Sequence, residues 1–89
     1  MDKITVRKME KMELEKMGVF TWPIWQKETS RFDWHYDQIE QCFFLNGKVT
    51  VETKDGNVSF GKGDFVIFPK GLSCTWDIKE PVKKHYNFK

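Results

Sequence analysis

Apolar and polar residues alternate along most of this chain in short runs, and turn-forming residues separate the runs. Ile4 to Arg7 alternates and predicts a short strand. Met9 to Met17 carries Met9, Met12, Leu14 and Met17, a spacing that predicts one or two helical turns ending at Gly18. Val19 to Trp25 is aromatic and β-prone, with Pro23 marking an edge or a bulge. In Arg31–Tyr36, the rings of Phe32, Trp34 and Tyr36 share one face, and Arg31, Asp33 and His35 share the other. Asp37-Gln38 is a turn candidate. Glu40–Leu45 and Lys48–Thr53 read as a hairpin around Asn46-Gly47, and Asp55-Gly56 reads as a second hairpin turn into Asn57–Phe60. Asp64–Phe68, Leu72–Ile78 and Val82–Phe88 follow, with Lys79-Glu80-Pro81 between the last two. About eight or nine short strands at this spacing predict an all-β sandwich or barrel with a short N-terminal helical turn.

The chain has 89 residues, which predicts a single domain over 1–89. So short a chain buries only about 60–65% of its unfolded surface. Its 16% aromatic content, with four Trp and eight Phe, offsets that, because large rings bury much area each. A net charge of +2 from intermixed Lys, Arg, Asp and Glu leaves no concentrated basic patch for a polyanion. No apolar run approaches the ~20 residues of a membrane span. The opening Met1-Asp2-Lys3-Ile4-Thr5 lacks a signal-peptide core, so a cytoplasmic location is expected. Cys42 and Cys74 are too few for a disulfide framework and lack zinc spacing.

Two stretches are more specific. Glu40 and Gly47 are separated by six residues, and Gly63, Pro69 and Gly71 stand at fixed offsets beyond them. This frame resembles the cupin superfamily, small jelly-roll barrels that often hold a metal through three His and one Glu. Phe32-x-Trp34-x-Tyr36, the strand led by Glu40, and Gly71-x-x-Cys74-x-Trp76 are similar to the small single-domain cupins of the ethanolamine-utilisation and ureidoglycine aminohydrolase type. The resemblance implies a cupin-like double-stranded β-barrel of two antiparallel sheets. It also places a ligand set at Glu40, at Cys74 (where the motif has His), and at Asp33 and His35 or at Trp34 and Tyr36, depending on the gap before Glu40.

Strand alternation puts Glu40, Cys42 and Phe44 on one face, and Cys74, Trp76 and Ile78 on another. Val82, Lys84, Tyr86 and Phe88 share a third. If that face turns inward, Lys84 is buried and needs a partner, which Glu40 supplies; otherwise its head stays in water at the barrel mouth. The cupin resemblance implies that Glu40 and Cys74 face each other inside the barrel, and alternation adds their neighbours, so Trp34, Tyr36, Glu40, Cys74, Trp76 and Lys84 are expected to line one cavity. Trp34, Tyr36 and Trp76 would bind a small polar metabolite, with Glu40, Cys74 and Lys84 as catalytic candidates. Glu40 would be an acid or base, and Cys74 a nucleophile in an electropositive setting supplied by Lys84. No cofactor is expected. The alternative is a metal held by His35, Glu40 and Cys74. A more distant one is single-stranded nucleic acid stacking on Phe60-Gly61-Lys62-Gly63-Asp64-Phe65. Exposed sheet edges predict a homodimer through Val19, Phe20, Trp22 and Ile24.

Overall fold

The computed structural model describes residues 3–89; Met1 and Asp2 lie outside them. The alternating runs form seven strands: β1 (Thr5–Lys8), β2 (Ile24–Lys27), β3 (Ser30–His35), β4 (Glu40–Thr53), β5 (Gly56–Gly61), β6 (Asp64–Phe68) and β7 (Ser73–Phe88). One helix, α1 (Lys11–Met17), and a 3₁₀ turn (Val19–Thr21) lie between β1 and β2. Every strand pairing is antiparallel.

The sheet has two halves that share β4 and β7. One half runs β1-β6-β4-β7-β2; in the other, β5 joins β4 and β3 joins β7. Side chains from both halves, among them Tyr36, Phe44, Val49, Phe60, Phe68 and Trp76, pack in one buried cluster. The chain is thus an all-β jelly-roll barrel, its two sheets continuous through the long central strands.

Three expectations are corrected, two of them by those strands. Asn46-Gly47 is not a hairpin turn: β4 continues through it for 14 residues. Lys79-Glu80-Pro81 does not interrupt the last strand: β7 continues through it for 16. Both differences have one cause. The β4–β7 register slips between Phe44 and Val49, and the slip lies where Gly47 meets Pro81 and Val82. Gly47 has φ 115°, and a Cβ there would sit 2.8 Å from Pro81 O and from Val82 Cα. Asn-Gly supplies a positive φ and a missing side chain, which a bulge with close backbone approach needs as much as a hairpin does.

The third correction concerns Val19–Thr21, which coils instead of extending. Gly18 ends α1 in the left-handed conformation at φ 77°, and Thr21 Oγ1 donates back to Gly18 O at 2.6 Å. Val19 is therefore wholly buried, with Leu14 and Phe65, and cannot serve as a subunit contact. Met9, Trp22, Phe43 and Ile67 complete this second cluster. It covers the outward faces of β4 and β6, the alternate residues to those that line the barrel interior. His85, also buried, donates from Nδ1 to Trp22 O at 2.9 Å and ties the same cover to β7.

Candidate functional site in the barrel cavity

Register on the two long strands fixes the site. Glu40 of β4 lies opposite Phe88 of β7, Cys42 opposite Tyr86, and Phe44 opposite Lys84. Glu40 and Lys84 are thus four positions apart along the sheet, roughly 13 Å at 3.3–3.4 Å per residue. Both point inward, and only two long arms reaching toward each other can close that gap. They do: Lys84 Nζ donates to Glu40 Oε2 at 2.9 Å, with the side chains 5% and 6% exposed.

The ammonium is also caged by rings. Its nitrogen lies 4.8 Å from the Trp76 ring centroid, 5.0 Å from Trp25, 5.8 Å from Phe44 and 5.9 Å from Phe68. Ring faces and a carboxylate both favour the charged amine. Lys84 Nζ is accordingly fixed in position between the carboxylate and the rings. Glu40 Oε1 accepts no hydrogen bond among the described residues, and Lys84 makes only the one to Glu40.

Above the pair opens a cavity of about 210 Å³ lined by Trp25, Phe32, Trp34, Tyr36, Glu40, Trp76, Lys84, Tyr86 and Phe88. Tyr36 is locked in place by stacking on Phe68, centroids 4.8 Å apart. Its oxygen accepts from Trp76 Nε1 at 3.2 Å, which leaves its own proton to donate. Burial, helped by the nearby Glu40 charge, pushes the phenol well above its ordinary range, so Tyr36 remains a neutral donor. Trp34 is 50% exposed at the rim and meets Tyr36 edge to face.

Five of the six expected residues therefore share one cavity: Trp34, Tyr36, Glu40, Trp76 and Lys84. Cys74 does not join them. It pairs with Trp34 across β3 and β7, is buried in the interior cluster, and borders an open groove with Asp33, His35, Glu52, Ser73 and Thr75. Lys84 does not activate it; burial first, then the Asp33 and Glu40 charges, push its thiol up to about 11. The thiol whose ionisation Lys84 favours is Cys42, midway beneath the ion pair, and burial still pushes that one up to about 12. Both shifts favour the protonated thiol, which opposes a nucleophilic role for either cysteine.

Trp25, Phe32, Tyr86 and Phe88 also line the cavity. Phe32 shares the alternation of Trp34 and Tyr36, and Tyr86 and Phe88 share that of Lys84, so the strand pattern is enough to find those three. Trp25 is different. It reaches Lys84 only through the pairing of β2 with β7, which no local pattern announces.

The metal set implied by the cupin resemblance does not fit these residues. Among the described residues no three His, Cys, Asp or Glu side chains converge on one point. His35 is exposed on the outer face, 2.7 Å from Ser73 Oγ and 3.6 Å from Asp37 Oδ1. Glu40 already faces an ammonium, and burial favours the protonated thiol of Cys74. His35, Glu40 and Cys74 thus form no centre. The His35–Ser73–Asp37 grouping resembles a nucleophile with its base, but it stands in solvent, where water competes for every bond. The run from Phe60 to Phe65 offers no stacking surface, since both rings are buried. Among the described residues no helix is long and apolar enough to cross a membrane.

Comparison with known proteins agrees with this architecture. The family model described as the EutQ-like cupin domain matches residues 14–86. The solved structure of a DUF861 family protein from Thermotoga maritima is 49% identical, with a TM-score of 0.95 over 98% of this chain and all of that one. EutQ of Clostridium difficile (18% identical) and a putative ethanolamine utilization protein Q of Salmonella typhimurium (23%) share the fold, each with a TM-score of 0.67 over 73% of this chain. The match spans only 52% and 53% of those two chains. No curated protein matches. The chain belongs to the EutQ-like cupin family.

Proposed function

We propose that this chain binds a small polar metabolite in the barrel cavity, without a metal, and that any chemistry on the ligand runs through Glu40. One observation carries this reading: a buried carboxylate with an unclaimed oxygen lies beside a fixed ammonium on the floor of an aromatic cavity. Pockets of this kind, with apolar walls and a few convergent polar groups, bind small molecules. A volume of about 210 Å³ lies below the range of drug-sized sites, ~300–1,000 Å³, which points to a small metabolite and away from a polymer. Glu40 Oε1 is placed to accept a proton from the ligand. Lys84 is placed to hold the negative charge that develops there, in a site where low dielectric strengthens both effects.

A thermal-shift screen of small polar metabolites, run on the wild type and on Glu40→Gln, tests the reading. Hits that raise the melting temperature of the wild type and lose that effect in the variant are expected. Hits indifferent to Glu40→Gln would place binding elsewhere.

We also propose that the chain pairs as a homodimer, with Phe20 and Ile24 in the contact. Both are exposed, and Ile24 lies on β2 at the end of one sheet half, where an unpaired edge invites a partner. Sedimentation should give a dimer at micromolar concentration and a monomer for Ile24→Lys. A wild-type monomer at high micromolar concentration would exclude it.

A further inference from the structure

The cavity holds two charges, and they cancel. Of its nine lining residues only Glu40 is acidic and only Lys84 is basic, and the rest are aromatic. A ligand with net charge would leave that charge uncompensated inside aromatic walls, which is costly. A ligand that is apolar throughout would leave Glu40 Oε1 and the spare Lys84 protons without partners. The complementary molecule has no net charge but carries separated charges of both signs. From these observations, and resting on the reading of the cavity as a binding site, we infer that the ligand is a small amino-acid zwitterion. Its carboxylate accepts from Lys84 Nζ, and its ammonium donates to Glu40 Oε1. The existing 2.9 Å bond between Nζ and Oε2 is kept, so the four charges alternate in sign around a ring. The walls add to the fit. Tyr36 has a free proton to give the carboxylate, and the rings of Trp34, Tyr86 and Phe88 can face the ammonium.

Ligand charge is the variable to test. Five probes of matched size are titrated into the full chain and followed by indole fluorescence: alanine, 3-aminopropanoate, propanoate, propylamine and propanamide. At least one of the two zwitterions should bind about tenfold or more tightly than any of the other three. The variants should move the preference predictably. Glu40→Gln leaves the cavity net positive, so propanoate should overtake the zwitterions. Lys84→Met leaves it net negative, so propylamine should overtake them. Glu40→Gln removes charge with little change of shape, and it carries the test alone if Lys84→Met does not fold. Propanoate, propylamine or propanamide matching the zwitterions on the wild type would overturn the inference, and so would no binding by any probe at high millimolar concentration. If metabolites from the broader screen still bind in a Glu40-dependent way, the binding site itself stands and only its ligand class falls. If Glu40→Gln changes no affinity at all, the site falls with it.

Discussion

At the scale of single residues, the decisive interaction is the pair of Glu40 with Lys84. A buried ion pair is seldom a net source of stability, because both ions lose water. Removing one partner alone is a different matter, since the other is left buried and unpaired, at a cost of about 3–5 kcal/mol. Lys84→Met should therefore destabilise the fold by about that much. Glu40→Gln should cost less, since Lys84 keeps four rings around its charge and the amide oxygen can still accept. The double variant should be more stable than Lys84→Met alone, because it strands no charge. Urea unfolding of the four proteins measures the coupling. Simple additivity would mean that the two groups do not interact. A buried ion pair that lines a cavity marks a candidate site, so Glu40 and Lys84 are the first residues to test for function.

At the scale of elements, the site depends on how β4 and β7 cross. Both strands pass from one half of the sheet to the other at the slip around Gly47, and the regular pairing on the Glu40 side of that slip sets Lys84 opposite Phe44. Gly47→Ala should be costly twice over. Its positive φ strains any side chain by on the order of 1–3 kcal/mol, and the new Cβ would meet the backbone of Pro81 and Val82. Gly56 has a similar φ of 125° but nothing within 4 Å of its Cβ position. Gly56→Ala should therefore cost only the conformational part, and the difference between the two urea midpoints isolates the crossing. Equal losses would show that close approach at Gly47 is not a constraint. The crossing is also where the sequence is hardest to read. Alternation locates β3 and the inward faces of β4 and β7, because burial of one sheet face leaves a period of two, whereas β6, covered on both faces, reads as a short apolar run. Asn46-Gly47 and Pro81 read as turns, because a local pattern reports what the backbone needs there and not why. The cupin frame places Glu40 correctly, while strand alternation places Lys84 on an inward face; that they meet depends on side-chain reach across four positions, which no strand pattern encodes. Cys74 is drawn into the expected site by its motif position. Its cross-strand neighbour Trp34 faces both openings, and Cys74 itself borders only the groove.

At the scale of the whole molecule, the barrel separates two aromatic populations. Trp76, Phe44, Phe60 and Phe68 fill the interior in mutual contact, and the cavity opens above them. Trp22 belongs to the outer cluster with Leu14, Val19 and Phe65, on the other side of the sheet. The four tryptophans are thus a built-in map, with Trp25, Trp34 and Trp76 lining the cavity and Trp22 serving as an internal control. Each has one indole N–H, and the four signals are resolvable in a nitrogen-correlated proton spectrum. Titration of the best metabolite from the thermal-shift screen, followed through these signals, tests the cavity most directly. The expected result is a joint, saturable shift of Trp25, Trp34 and Trp76 with one dissociation constant, while Trp22 stays in place. A shift of Trp22, or of Trp34 without Trp25 and Trp76, would put the ligand on the outer surface or in the Cys74 groove and contradict a binding site built on Glu40 and Lys84.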